Sequence, residues 1–384
     1  MRAVWWMSAL ALALLTVAGR AQDVQPANWG RRNAPPPNCP PCLPDATPVP
    51  NAPAMPNDPN AASAPSSAAA ALDEGARGAA LASGQAAMPA FFGDLIGYSA
   101  TRVVRDAHGN TRLVRVPIAA RSGTKITDNE SPRPTDRVFY TYNYFNDVNI
   151  GVNPGLPGVG LARHMVGFEK TLLDGDCSFG MRLPFSTITN TGGADGTFAG
   201  DLSLIFKYAF VNDRQTGDVL SGGLMLTVPT GQDIVVDQPN PLTGVVDGTT
   251  QDRFHPVIFQ PFAGFIRSFN ERLYVHGFTA VAVPTDARDV TIMWNDLGVG
   301  YRLYRNPNDR FIQAVIPTWE WHLNTPFTHR SAFTQPIGFS DQLNMTGGCY
   351  FQFPRSLLGV AAGFPVVGPR PFGVEAIASF TFRF

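Results

Sequence analysis

Charge is scarce in this chain. Only 15% of the 384 residues are Asp, Glu, Lys or Arg, against roughly 25% in typical soluble domains. The 29 basic and 30 acidic side chains leave a formal net charge of −1, so the balance of charge does not indicate a nucleic acid or an anionic surface as a partner. A deficit of charge is typical of a protein that places much of its outer surface in lipid.

Long apolar runs are also missing after the N-terminus. No stretch of about 18 apolar residues follows the first 21 positions, which excludes a membrane-spanning helix there. The N-terminus itself is different, because Arg2 precedes an almost wholly apolar run from Ala3 to Ala18 and small residues lead up to Ala21. This pattern predicts a signal peptide over residues 1–21, cut after Ala21.

Cysteine is rare and is not arranged for metal binding. One Cys-x-x-Cys pair, Cys39 and Cys42, is present, but no second pair completes a zinc site. Leu43 stands where a haem-attachment motif requires histidine. We expect Cys39 and Cys42 to form a disulfide, within or between molecules, in an oxidising compartment. Catalytic redox work is the alternative, and no metal or cofactor is expected.

Residues 22–90 are dominated by Pro, Ala, Asn and Ser, as in Asn33–Asn38 and Pro48–Pro56. Such a composition buries too little apolar surface to offset the entropy lost on ordering the chain. It predicts a disordered Pro/Ala-rich linker. If this linker has a partner, we expect a periplasmic or cell-wall component.

A basic segment follows over residues 91–134. Thr101–Pro117 predicts a hairpin with two arms rich in Arg and Val around a turn at His108-Gly109-Asn110. Two interpretations stay open for this segment. It is either a plug whose basic side chains enter a barrel, or a solvated hairpin on the periplasmic side.

Residues 135–384 repeat apolar-rich segments of the length that crosses a bilayer as a tilted strand, about 9–11 residues. Connections alternate between long and tight, as in outer-membrane barrels with both termini in the periplasm; Gly175-Asp176 is tight, whereas 229–255 is very long. The predicted fold class is all-β, a twelve-stranded antiparallel transmembrane β-barrel. The predicted strands are 135–147, 164–174, 177–187, 199–211, 218–228, 256–268, 272–283, 291–305, 310–321, 340–353, 355–367 and 371–384.

The last twelve residues alternate apolar and polar side chains up to Phe384, with Ile377 as the exception. They resemble the C-terminal insertion signature of Gram-negative outer-membrane barrels. The resemblance implies that Phe380, Phe382 and Phe384 form an assembly signal for the barrel-assembly machinery and that the strand faces outer-membrane lipid. An ordinary core strand of a secreted β-sandwich is the alternative.

Strand alternation predicts which charged side chains face the lumen. A twelve-stranded barrel falls between side-chain-filled barrels of eight strands and open porins of about 16–18 strands, so the lumen should be narrow. Basic side chains on neighbouring strands would favour anions in such a pore. The predicted pore-lining residues are Arg137, Arg182, Asp201, Lys207, Asp296, Arg302, Glu375 and Arg383.

Three segments carry a resemblance to a known family. Gly200–Tyr208, Gly222–Gly231 and Gln260–Phe265 look like the outer-membrane proteins described as putative transporters of the phenol-degradation MetA pathway. The likeness covers roughly Thr135–Phe384 and implies a single-chain barrel that passes or binds small, apolar molecules. The basic lumen side chains predict anionic solutes as the other class for such a channel. A structural anchor tethered through the linker is the rival hypothesis.

Catalysis is a remote alternative. Twelve-stranded barrels include an outer-membrane phospholipase with a His-x-Ser pair and a downstream Asn, and this chain contains His329-Arg330-Ser331 with Asn344 thirteen residues later. The surrounding residues do not otherwise resemble that enzyme. We therefore expect a protein that is not an enzyme.

Overall fold

The computed structural model describes residues 89–94, 98–105, 109–153, 158–191, 194–331 and 333–384. The predicted signal peptide, Cys39 and Cys42, and all of the predicted linker except its last two residues lie outside the described residues. Within these ranges no α-helix occurs. None of the helical turns in the described part of the chain has the length and hydropathy of a membrane span.

Nineteen strands occur in the described ranges. They are β1 (Ser99–Arg105), β2 (Thr111–Pro117), β3 (Arg137–Val148), β4 (Val159–Leu172), β5 (Cys177–Thr189), β6 (Gly196–Ala199), β7 (Leu202–Asn212), β8 (Val219–Val228), β9 (Ile234–Gln238), β10 (Thr250–Phe254), β11 (Ile258–Ser268), β12 (Leu273–Pro284), β13 (Ile292–Tyr301), β14 (Tyr304–Arg305), β15 (Ala314–Pro326), β16 (Ile337–Gly338), β17 (Gln342–Gln352), β18 (Ser356–Val367) and β19 (Glu375–Arg383).

Twelve of these strands form a closed antiparallel barrel. Each barrel strand pairs with the next in chain order, from β3 through β4, β5, β7, β8, β11, β12, β13, β15, β17 and β18 to β19. The ring closes where β19 pairs with β3, with Thr381 opposite Phe139. The predicted fold class is confirmed, and each predicted strand overlaps one barrel strand. The largest offsets are five residues, at β4, which begins at Val159 rather than at residue 164, and at β15, which ends at Pro326 rather than at residue 321.

The two faces of the barrel strands differ in chemistry. On β7, Phe206 and Phe210 point outward and are 52% and 66% exposed, whereas Ser203 and Lys207 point inward and are buried. β19 shows the same alternation, with its phenylalanines exposed and its polar side chains inside. Ile377, the exception in the pattern, faces inward and packs among buried aromatic side chains. Period-two alternation therefore places an apolar surface outside and a polar one inside.

The two ends of the barrel differ in the length of their connections. One end carries mostly tight connections, and β3 begins and β19 ends there; the longest of its connections, residues 302–313, contains β14. The other end carries most of the longer connections, which contain β6, the β9–β10 hairpin and β16. We call these the tight-turn end and the long-connection end.

Residues 89–136, which we call the lumen segment, run through the barrel interior twice; 95–97 and 106–108 lie outside the described residues. The first pass starts near the tight-turn end, where the Tyr350 hydroxyl donates to the Ala90 carbonyl over 2.8 Å. The β1–β2 hairpin follows at the long-connection end, where β1 pairs with β16. The second pass then returns, and Arg133 reaches Asn212 at the tight-turn end over 2.8 Å. The hairpin thus lies at the end opposite to that at which β3 begins.

Candidate functional site

The first pass, residues 89–94, is held mainly by aromatic faces. The Phe91 ring stacks on His276 with centroids 3.9 Å apart, and the Phe92 ring stacks on Tyr350 at 4.2 Å. The Glu320 carboxylate accepts a hydrogen bond from the Phe92 backbone N–H over 3.0 Å. All these side chains are buried, so this part of the first pass fills the lumen with apolar surface. Its charge-assisted bonds to the wall are those of the Phe92 backbone to Glu320 and, at its end, those that Asp94 accepts from Asn324 and Asn344.

A buried lysine joins the two passes to the wall. Lys125 Nζ lies 2.5 Å from an Asp94 oxygen, 2.7 Å from an Asp296 oxygen and 2.9 Å from the Asn324 amide oxygen. The His322 ring Nδ1 lies 2.7 Å from the same Asp296 oxygen. Asp94 belongs to the first pass, Lys125 to the second and Asp296 to β13, so one ammonium group links three parts of the chain.

The same cluster has the spacing of a cation site. Asp94, Asp296 and His322 place ligand atoms within 4.8 Å of one another. The Lys125 ammonium already bonds both carboxylates. The ammonium group therefore balances the negative charge of the two buried carboxylates. We interpret the cluster as an ion-pair network rather than a metal centre.

A second network lies nearer the tight-turn end. The Glu130 carboxylate of the second pass accepts bonds from Arg137 over 3.0 Å and from Lys207 over 2.6 Å. Glu169 on β4 lies 2.8 Å from Arg137 Nε and 2.9 Å from Lys207 Nζ. Arg137 and Lys207, both predicted to line the pore, thus belong to a buried cluster of four charges. Glu130 is the member of this cluster that comes from the lumen segment.

Between these two networks, the second pass meets two arginines of the wall. Arg163 Nη1 lies 3.1 Å from Asp128. Arg182 donates to the backbone carbonyls of Lys125, Ile126 and Asp128, the last over 2.6 Å. Because backbone carbonyls carry no net charge, Arg182 is bound by dipoles rather than by a single counter-ion.

A further buried cluster of charged groups lies at the long-connection end. Arg121 of the second pass lies 3.1 Å from Asp201 and 2.5 Å from Asp289. His255 Nε2 lies 2.7 Å from Asp201. Asp201, predicted to line the pore, thus sits directly before β7 at the mouth of the barrel.

Charge along the second pass is complementary to charge on the wall. The cations Arg121 and Lys125 meet acidic wall residues, and the carboxylates Asp128 and Glu130 meet a basic strip on four neighbouring strands. The strip comprises Arg137 on β3, Arg163 on β4, Arg182 on β5 and Lys207 on β7. Such alternation fixes the register of the segment in the lumen, because a shift along the axis would bring like charges together.

The remaining predicted pore-lining residues occupy other positions. Glu375 is buried and accepts a bond from the Asn143 amide over 2.7 Å. Arg302 and Arg383 lie toward the tight-turn end, where they donate to the backbone carbonyls of Glu271 and Phe353. They lie apart from the network around Lys125.

Sequence reasoning missed Arg163, Glu169 and Glu320. Glu169 lay within a predicted strand, where Val166 and Phe168 on the apolar face place it on the inner face. Arg163 precedes the predicted start of that strand, but the same parity extended backward places it on the inner face as well. Glu320 lay within a predicted strand, where the same parity places it on the inner face with His322.

The residues of the remote catalytic alternative have separate partners. His329 Nδ1 lies 3.2 Å from the Thr328 hydroxyl in the connection between β15 and β17. Asn344 instead donates to Asp94 in the lumen over 2.7 Å. Each is thus engaged in a contact that a His-Ser-Asn mechanism would not use.

Comparisons with known proteins give weak similarities only. No protein-family model and no curated protein matches the sequence. Among solved structures, the chain is similar to the COG4313 outer membrane channel from Pseudomonas putida F1, at 13% identity and a TM-score of 0.44 over 65% of this chain and 96% of that chain. It is also similar to the beta domain of the Bordetella autotransporter BrkA, at 13% identity and a TM-score of 0.42 over 65% and 99%.

The Pseudomonas putida toluene transporter TodX is another similar structure, at 11% identity and a TM-score of 0.37 over 65% of this chain and 90% of that chain. Similarities of this strength do not assign an activity to this chain.

Proposed function

We propose that the chain is an outer-membrane β-barrel channel for small solutes, closed by its own lumen segment. One observation carries the proposal: a closed barrel with an apolar outer face encloses charged side chains that are neutralised by a separate stretch of the same chain. Buried charges are a costly filling for a barrel with only a structural role, because desolvating them costs free energy that ion pairing often only partly returns. A charged wall suits a lumen that fills with water when the segment leaves.

The outer face supports the membrane setting. Its exposed side chains include Phe206, Phe259, Leu297, Trp319 and Phe380, which come from strands around the whole ring. In lipid these side chains meet hydrocarbon, and closure of the barrel satisfies the backbone hydrogen bonds of every strand. The phenylalanines at positions 380, 382 and 384 remain our proposed assembly signal, and the tight-turn end is the proposed periplasmic side.

The basic strip supports small anions as the favoured solutes. With the lumen segment removed, Arg163, Arg182 and Lys207 lose their partners on that segment, and positive charge then dominates one side of the lumen. A narrow pore with such a wall attracts anions and excludes small cations. The resemblance to MetA-pathway transporters stays a prediction, and solute identity is proposed only as far as charge and size.

Conductance in planar bilayers tests the proposal. The full chain should conduct weakly, and a variant that lacks residues 91–134 should conduct strongly with a reversal potential that favours anions. In that deletion variant, replacing Arg182 and Lys207 with Glu should move the reversal potential toward cations. Absence of conductance in both the full chain and the deletion variant, with the barrel correctly inserted, would contradict the channel.

A structural anchor is the second candidate, and the filled lumen is the observation that favours it. In that case the lumen segment is a permanent core, and the linker, residues 22–90, is the functional part that reaches a periplasmic or cell-wall partner. A correctly inserted deletion variant without conductance would support this candidate.

A further inference from the structure

One lysine of the second pass bridges two opposite walls of the lumen. The Lys125 backbone carbonyl accepts a hydrogen bond from Arg182 on β5. The lysine side chain runs across the lumen, and its ammonium group lies 2.7 Å from Asp296 on β13 and 2.9 Å from the Asn324 amide oxygen on β15. One lysine residue and its hydrogen bonds therefore span the lumen at this height.

The two walls carry opposite charge. β7, β8, β11 and β12 separate β5 from β13 in one direction around the ring, and β15, β17, β18, β19, β3 and β4 separate them in the other. β5 belongs to the four neighbouring strands of the basic strip, whereas β13 and β15 carry the buried carboxylates of Asp296 and Glu320. The electric field between the two walls therefore points across the pore rather than along it.

The basic wall contains a cation without a counter-ion. Arg137, Arg163 and Lys207 each form an ion pair with an acid of the lumen segment, whereas no ion pair of Arg182 occurs among the described residues. The bonds from Arg182 to the lumen segment go to three backbone carbonyls. A guanidinium group binds a carboxylate through two parallel hydrogen bonds that are stronger than bonds to neutral oxygens. A carboxylate in place of these carbonyls would therefore satisfy Arg182 more fully.

The acidic wall requires a cation when the lumen segment leaves. Without Lys125, Asp296 keeps the His322 ring at 2.7 Å, and Glu320 keeps the same ring at 3.4 Å. One imidazole then faces two carboxylates, so negative charge is in excess even when the ring is protonated. A primary ammonium group has three donors for the oxygens of Asp296 and Asn324, and it balances that excess.

Lys125 indicates the shape of a solute that would replace it. Its carbonyl group meets Arg182 and its ammonium group meets Asp296, with an unbranched carbon chain between them. 6-Aminohexanoate has the same carbon chain between a carboxylate and an ammonium group, and it lacks only the α-amino substituent of lysine. A solute of this length reaches both walls, whereas a much shorter one leaves one of the buried wall charges without a partner.

We infer that the lumen, once its segment has withdrawn, binds an organic zwitterion with its carboxylate on Arg182 and its ammonium group on Asp296, separated by about the length of a lysine side chain. This inference rests on the proposed function, because it names the solute class of the opened lumen and adds an ammonium group to the preference for anionic groups. Such a solute competes with Lys125 for the wall. Its binding therefore shifts the population toward the open state.

Binding of 6-aminohexanoate to the full chain in lipid nanodiscs tests the inference, with empty nanodiscs as the blank in titration calorimetry. Lys125→Ala removes the competing ammonium group, so 6-aminohexanoate should bind at least tenfold more tightly to this variant than to the unmodified chain. Hexanoate, which lacks the ammonium group, and pentylammonium, which lacks the carboxylate, should each bind to the variant at least tenfold more weakly. Lys170→Ala removes an exposed lysine and should bind as the unmodified chain does.

Asp296→Asn, added to Lys125→Ala, isolates the contact with the ammonium group. The preference for 6-aminohexanoate over hexanoate should then fall at least tenfold, and a retained preference would overturn the assigned position of the ammonium group. Lys125→Gln provides a second variant in case Lys125→Ala does not fold. Equal affinity for 6-aminohexanoate and hexanoate in every correctly folded variant of Lys125 would overturn the zwitterion.

Hydrogen exchange in the unmodified chain tests the competition directly. 6-Aminohexanoate should at least double the rate of backbone exchange in residues 118–134 relative to hexanoate at the same concentration, and equal rates would overturn the competition. Conductance of the variant that lacks residues 91–134, without discrimination between 6-aminohexanoate and hexanoate by the Lys125 variants, would overturn the zwitterion and leave the channel. Discrimination by a barrel that does not conduct would support the site and contradict the channel.

Discussion

The two passes of the chain through the barrel are held in different ways. The first pass places Phe91 and Phe92 against His276 and Tyr350, so its main contacts are ring stacks. The second pass is held by charges on the lumen segment that face opposite charges on the wall. Both passes are buried to a similar degree, yet one resembles a protein core and the other resembles a charged interface.

This difference predicts different responses to mutation. A shortened apolar side chain loses contacts in proportion to the surface removed, and its neighbours relax partly into the space. A deleted ionic partner leaves a buried charge with no counter-ion, and the cost is that of desolvating that charge. The second pass should therefore be the more sensitive of the two, and Lys125 should matter most because it bonds both passes.

Lys125→Met should have the largest effect. It leaves Asp94 and Asp296 facing each other without the ammonium that now bonds both, and breaking a buried ion pair typically costs about 3–5 kcal/mol. Hydrogen exchange should accelerate by roughly a hundredfold or more in both passes if they open locally. Lys170→Met is the matched control, because its ion pair with Asp136 is exposed and pairs of that kind contribute little. Unchanged exchange in Lys125→Met would refute the linking role.

The sequence predicted the barrel because local rules determine it. On β7 each of Phe206, Lys207 and Tyr208 follows the alternation, and on β19 Phe380 and Phe382 do so. Connection length indicated the order of the strands, since tight turns permit only antiparallel neighbours. These signals are carried within about ten to fifteen residues, so a single sequence contains them.

The contents of the lumen could not be predicted in this way. Lys125 and Asp296 are 171 positions apart, and no periodicity relates them. The sequence left open whether residues 91–134 fill the barrel, and their contacts with the wall come from pairings of that long-range kind. The pairing of β1 with β16 involves only two residue pairs, which is too short to show as a pattern. Strand parity predicts which face a charged strand residue occupies, but it says nothing about the partner of that charge.

Glu130→Gln should have an intermediate effect, confined to the second pass. Arg137 and Lys207 keep Glu169 within 2.9 Å, so neither cation loses its only acid, and hydrogen bonds to charged groups typically contribute about 1.5–3 kcal/mol. Exchange in residues 126–134 should rise about tenfold to hundredfold, while residues 89–94 stay protected. Glu271→Gln, at an exposed ion pair with Arg305, is the control. If hydrogen exchange accelerated equally in both passes, the two passes would open as one unit. Their different contacts would then not give them different free energies of opening.

Phe91→Leu should have the smallest effect, and it should act on the first pass alone. Leucine keeps much of the buried apolar surface, but it loses the stack on His276, whose centroid lies 3.9 Å from that of Phe91. Aromatic pairs contribute about 0.5–1.5 kcal/mol beyond their buried area, so exchange in residues 89–94 should rise about twofold to tenfold. The network around Lys125 should keep residues 118–134 protected, because its bonds to Asp296 and Asn324 do not pass through Phe91. Phe269→Leu, at an exposed phenylalanine of the tight-turn end, should change neither pass. If Phe91→Leu instead loosened the second pass more than the first, the ion pairs would depend on the stacked rings, and the order of sensitivity argued here would be reversed.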